Sequence, residues 1–126
     1  MRSVMRAAAG LAMLVPLVLA GCVDDAAHSR AEAIGDVAIG AVRIRQAGCG
    51  ACHIIPGIDG AEGLVGPPLD HMANRLYLAG LLRNTPANMI HWLREPQAVA
   101  PGSVMPDMGL TEQQARDITA YLYTLE

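Results

Sequence analysis

Cys49-Gly50-Ala51-Cys52-His53 constrains this chain more than any other stretch of it. The 126 residues hold only three cysteines, the third being Cys22 near the N-terminus. A disulfide framework needs more of them, and a bridge closed over two residues would restrict the unfolded chain very little. A tetrahedral zinc site needs four ligands, and there is no second cysteine pair. A thioredoxin-type redox pair has this spacing, but it belongs after a strand in a βαβ unit, and helical sequence precedes Cys49. The pentapeptide C-x-x-C-H reads instead as an attachment site for one c-type haem. Two thiols about one helical turn apart can add across the vinyl groups along one porphyrin edge. The adjacent imidazole of His53 is then the first axial ligand of the iron.

Composition supports a large flat group inside the fold. There are three Tyr, one Trp and no Phe, although a domain of about 100 residues usually takes much of its core volume from aromatic rings. A porphyrin would supply what the side chains lack. All nine basic residues are Arg, and beyond residue 21 seven Arg stand against 12 acids, a net charge of −5. That balance excludes a nucleic-acid binder, which needs a basic stripe.

The first 21 residues read as an export signal. Arg2 and Arg6 form a positive n-region, and a 14-residue apolar run at 7–20, interrupted by Pro16, follows. The run is too short to span about 30 Å of hydrocarbon as a helix, but it suits a secretory h-region. It ends Leu19-Ala20-Gly21-Cys22, which resembles the bacterial lipoprotein lipobox at every position. The resemblance implies cleavage after Gly21 and diacylglyceryl transfer to Cys22. The expected organisation is a lipoprotein signal peptide at 1–21, an acylated tether at 22–33 and a folded domain at 34–126. The tether, polar and rich in small residues, is expected to be flexible, with a reach near 20 Å.

Within the domain the apolar spacing is helical and no period-two pattern occurs, so the expected class is all-α. A first helix is expected over 36–47, with Gly40 on its inward face at a cost of roughly 1 kcal/mol relative to Ala. Residues 54–68 hold four Gly and three Pro and read as loop. A short helix is expected over 70–78 with Leu69, Met72, Ala73 and Leu76 inward. Thr85-Pro86 opens another that Pro96 stops, its inward face being Met89, Ile90 and Leu93. Thr111-Glu112-Gln113-Gln114 is a capping-box pattern for the last helix.

With these residues in place the domain resembles a small class I cytochrome c. Gly35-Asp36-Val37, Gly40, the Cys49–His53 site, Gly66-Pro67, Arg75, Trp92, Pro101-Gly102-Ser103-Val104-Met105 and Ala120-Tyr121-Leu122 follow the family's order. The stretch from Asn84-Thr85-Pro86 through Trp92-Leu93-Arg94-Glu95-Pro96-Gln97 to Met105-Pro106 is similar to a narrower set. Those are bacterial cytochrome c domains fused to, or serving, subunit II of haem-copper oxidases. The resemblance implies several short helices wrapped around one covalent haem c on Cys49 and Cys52. It implies His53 and Met105 as axial iron ligands, with Met108, His71 and His91 as the other candidates for the sixth position. Pro67 is expected to accept the His53 Nδ1 proton, Arg75 and Trp92 to reach a propionate, and Gly40 to meet the last helix near Ile118 and Tyr121. Tyr77 is a further candidate for the propionate edge. Met72 and Met89 are read as core fillers.

The expected function is one-electron transfer in a bacterial respiratory or dehydrogenase chain, with no reaction of its own on a small-molecule substrate. The partners are an oxidase or dehydrogenase, and the membrane through lipid on Cys22. The place is the periplasmic face of a bacterial membrane, inner or outer. A cytochrome subunit fixed within such a complex is the alternative. Two other rivals are a haem catalyst or gas sensor with an open iron position and a thiol-disulfide protein using Cys49 and Cys52. Better-known soluble members dock through rings of lysine. Here lysine is absent, which points to an apolar docking patch aided by the lipid.

Overall fold

The computed structural model describes residues 21–126, with side chains from Asp25 onward. Residues 1–20 of the expected leader and the side chain of Cys22 lie outside the described residues. In chain order the helices are α1 (Gly21–Glu32), α2 (Val37–Gln46), α3 (Pro86–Arg94), the single-turn α4 (Pro96–Val99) and α5 (Glu112–Leu122). Two 3₁₀ turns, Cys49–Ala51 and Met72–Asn74, and a two-residue hairpin of β1 (Tyr77–Leu78) and β2 (Leu82–Arg83) complete the architecture. No helix among the described residues is long and apolar enough to cross a membrane.

The frame is the crossing of α2 and α5. Asp36 caps α2 by accepting from the Ile39 N–H at 2.8 Å. Its own N–H donates to the buried Asp117 carboxylate of α5 at 3.1 Å. Gly40 explains itself at the crossing, because a Cβ there would collide with the Asp117 carbonyl oxygen and press on Tyr121 Cβ. Only backbone-to-backbone approach of this kind justifies glycine in the middle of a helix. Thr111 and Gln114 close the expected capping box at the start of α5. Thr85 caps α3, with Pro86 in its first turn. Ile44, Met89, Leu93, Ile118 and Leu122 from α2, α3 and α5 form one buried cluster. No aromatic side chain among the described residues is fully buried; Trp92, Tyr121 and Tyr123 pack on the cluster half-exposed.

Two expectations about local structure are corrected. Residues 70–78 do not form a helix. His71 is left-handed at φ 51°, Arg75 is extended, and Ala79 and Gly80 turn the chain at φ 49° and 71° into the hairpin. The reason is a competing partner for the backbone. Asn84 Nδ2 donates to the carbonyls of Met72 at 2.7 Å and Arg75 at 2.9 Å, which a helix would use internally. Leu76 is consequently 79% exposed rather than inward, while Leu78 is buried. Residues 22–33, read as a flexible tether, fall largely within α1. Ala27 and Ala31, one turn apart, are buried, and α1 lies against α5. Alanine is the strongest helix former, and an i, i+4 pair of them admits close helix packing.

Candidate haem site

The cluster of apolar side chains does not close on itself. It surrounds a cavity of about 530 Å³ whose walls come from α2, the 48–69 loop, the hairpin, α3, the 100–108 loop and α5. That volume lies within the ordinary range for a cofactor cleft. Ile44, Leu78, Met89, Leu93, Ile118 and Leu122 form its apolar lining. Met72 and Met89 are buried in the core cluster and also face this space.

On one side the chain delivers three donors together. Gly48, left-handed at φ 71°, turns α2 into the 3₁₀ turn that carries Cys49 and Cys52. The His53 N–H donates to the Cys49 carbonyl at 3.0 Å, tying the imidazole to the thiols. Both cysteines are free and, with His53, line the cavity. Burial pushes the Cys49 thiol above its ordinary pKa, and neighbouring Cys52 adds to the shift. Such a thiol is a poor partner in disulfide exchange, which requires a stabilised thiolate.

His53 is held in one tautomer. Its Nδ1 lies 2.7 Å from the Pro67 carbonyl oxygen, which can only accept. Nδ1 therefore carries a proton, and the neutral imidazole has its lone pair on Nε2. Gly66 matters for the same ring, since a Cβ at that position would overlap the imidazole. The Gly66 N–H donates to the Cys52 carbonyl at 2.7 Å, locking the 66–67 segment against the attachment turn.

Met105 and Met108 lie half-buried on the loop that follows α4, and both line the cavity. Arg75 and Trp92 line it too. The Arg75 guanidinium uses Nη2 alone to bond the carbonyls of Pro68 and Asp70 and the Asp70 carboxylate, so Nη1 and Nε remain for another acceptor. The two remaining histidines of the domain are elsewhere. His71 and His91 are exposed, neither lines the cavity, and His91 Nε2 sits 3.5 Å from Glu95. Among the described residues no three His, Cys, Asp or Glu side chains gather as a metal-binding group.

Two features escaped the sequence reading, the roles of Asn84 and Gln97. Asn84 links the Arg75 segment to α5, since Tyr123 Oη donates to Asn84 Oδ1 at 2.6 Å. Gln97 bonds three backbone groups in the Met105 loop. An Asn before a Thr-Pro cap and a Gln between two prolines were the available signals. The mouth of the cavity is apolar, with Val65, Tyr77 and Val104 both exposed and on its wall, and Leu64 beside them.

Two thiols, an imidazole with a free Nε2, thioethers lining the same cavity and a guanidinium with free donors form the donor set of a c-type haem, in a space of matching size. Comparison with known proteins agrees. The family model described as cytochrome c matches residues 37–126. The chain is 33% identical over 79 residues to "Cytochrome c oxidase subunit 2" of Alkalihalophilus pseudofirmus, covering 62% of this chain and 22% of that one. It is 34% identical over 82 residues to the protein of the same name from Bacillus sp. (strain PS3), covering 62% and 23%. The chain thus spans less than a quarter of the length of these relatives. No solved structure matches it. This chain belongs to the cytochrome c family, and its cofactor is one covalently bound haem c.

Proposed function

We infer that this monohaem c-type electron carrier works at the outer face of a bacterial membrane, held there by lipid on Cys22, and passes electrons to a haem-copper oxidase. The observation that carries the reading is the assembly of Cys49, Cys52, His53 and Met105 around one apolar cavity whose mouth is itself apolar.

When bound, the haem supplies a one-electron iron couple. The chain's own residues set its terms. Cys49 and Cys52 hold the group through thioether bonds, so it survives unfolding. His53 presents Nε2, because Pro67 takes the proton on Nδ1. Met105 offers a soft, neutral sulfur that favours the ferrous state and raises the potential. Arg75 and Trp92 pair with propionate, where a carboxylate leaving water needs charge-assisted donors. Val65, Tyr77 and Val104 give a partner a surface from which water is easily displaced. The chain performs no chemistry of its own on a small-molecule substrate.

The oxidase partner is supported by the two relatives named as oxidase subunit 2. Those same names favour a second reading, in which the chain is a subunit held permanently in such a complex. Detergent-solubilised membranes separate the two. A carrier elutes near its own size and is oxidised by added oxidase in the presence of oxygen. A subunit elutes with the large complex, and a purified holoprotein that oxidase fails to oxidise overturns the partner assignment.

A further inference from the structure

The Met105 loop has few ways to hold its shape. Residues 100–108 contain no regular structure, and Gly102 is left-handed at φ 82°. What braces the loop comes from α4. Pro96 is buried and starts that single turn, and the Ala100 N–H closes it on the Pro96 carbonyl at 2.8 Å. Gln97 follows immediately, so its side chain springs from an anchored base. Its Nε2 donates to the carbonyls of Ser103 and Met105, both at 2.8 Å. Its Oε1 accepts from the Gly102 N–H at 3.2 Å. Ser103 adds a bond within the loop, its Oγ accepting from the Met105 N–H at 3.2 Å.

We propose that Gln97 is the positioning residue for the sixth iron ligand: its carboxamide fixes the Met105 backbone, and so the place of the Met105 thioether on the cavity wall. The inference rests on the reading of Met105 as that ligand. A carboxamide suits the task because it offers two donors and an acceptor without charge. The bonds span Gly102 to Met105, so one side chain removes the freedom of the loop on the N-terminal side of the sulfur. Met108, three residues further on, has no such brace among the described residues. A weakly held thioether leaves the iron intermittently, and small exogenous ligands then compete for the open position.

Two variants of the holoprotein test this. Gln97 is exposed, so substitution spares the core. Gln97→Leu removes all three bonds. Gln97→Glu keeps the volume and the acceptor but sets an oxygen against two carbonyl oxygens. Both should speed carbon monoxide binding to the reduced protein about tenfold or more, with Glu at least as damaging as Leu. Both should also lose the near-infrared sulfur-to-iron band of the oxidised protein on warming well before the far-ultraviolet helix signal. The proposal is overturned if Gln97→Glu matches wild type, which makes volume the only requirement. It also fails if band and helix signal melt together, which makes Gln97 a general stabiliser. A wild-type band that persists in Met105→Ala, or that is missing altogether, overturns the ligand assignment and this inference with it. A band abolished by Met105→Ala but untouched by either Gln97 variant overturns this inference alone.

Discussion

Met105 and Met108 share a loop, a side-chain type and a degree of burial, yet only one of them is tied at its own carbonyl to a helical turn. On the proposed reading, that difference is what would favour Met105 over Met108 as the sulfur ligand. Met105→Ala should abolish the near-infrared charge-transfer band and let carbon monoxide bind the reduced form readily, while Met108→Ala leaves both almost unaltered. The reverse pattern, read from the same spectra, moves the ligand to Met108. Tyr123 offers a residue-scale test of a different kind. Burial pushes its phenol, like that of Tyr121, above the ordinary value of 10.0. The unfolded chain therefore releases these protons first. Stability is unaffected below about pH 10 and falls as pH rises through the ordinary tyrosine range. Tyr123→Phe should lower stability at pH 7 by about 1 kcal/mol, the loss of one bond to Asn84. It should also make the alkaline decline shallower. Melting temperatures between about pH 7 and 11 check both signs.

At the scale of elements, the attachment turn, α2, α3 and α5 were legible because each is announced by local chemistry. Asp36 and Thr111 cap, Pro86 and Pro96 punctuate, and Gly40 marks a close approach. The approach itself falls at Asp117 and Tyr121, close to the expected neighbourhood of Ile118 and Tyr121. The 70–84 segment was not legible, because what prevents its helix is a single side chain six residues beyond the expected end. The spacing of Leu69, Met72, Ala73 and Leu76 carries no trace of Asn84 reaching back to two carbonyls. The docked α1 was hidden for a related reason, since among its described side chains the buried ones are Ala27 and Ala31. Two predictions test these elements. Gly40→Ala should cost about 1–3 kcal/mol or more by forcing α2 away from α5, measured by denaturant unfolding of the holoprotein. Asn84→Ala should free the Met72 and Arg75 carbonyls and loosen the hairpin, raising hydrogen exchange at 72–83 while leaving α2 and α5 protected.

The whole molecule combines an acidic net charge, no lysine and an apolar mouth, so encounter with a partner gains nothing from a ring of lysines. Long-range steering is weak under those conditions, and co-localisation must raise the encounter rate instead. Here α1 changes the physics expected of a tether. Cys22 lies in the first turn of a helix that packs on α5, so a lipid there would fix the orientation of the domain as well as its distance from the bilayer. Cys22→Ser should therefore move the protein from the membrane pellet to the soluble fraction with its spectrum unchanged. Oxidation by the partner oxidase should slow sharply at cellular concentration and recover when the soluble variant is added at high concentration, because only local concentration is lost. Ala31→Glu is the sharper test. Ala31 is 0% exposed, so a charged side chain there should undock α1 while leaving Cys22 and the haem cavity unchanged. The variant should stay in the pellet, keep its spectrum and still be oxidised more slowly. A rate equal to wild type would show that the anchor supplies proximity alone, and that the docking of α1 on α5 has no part in presenting the cavity mouth.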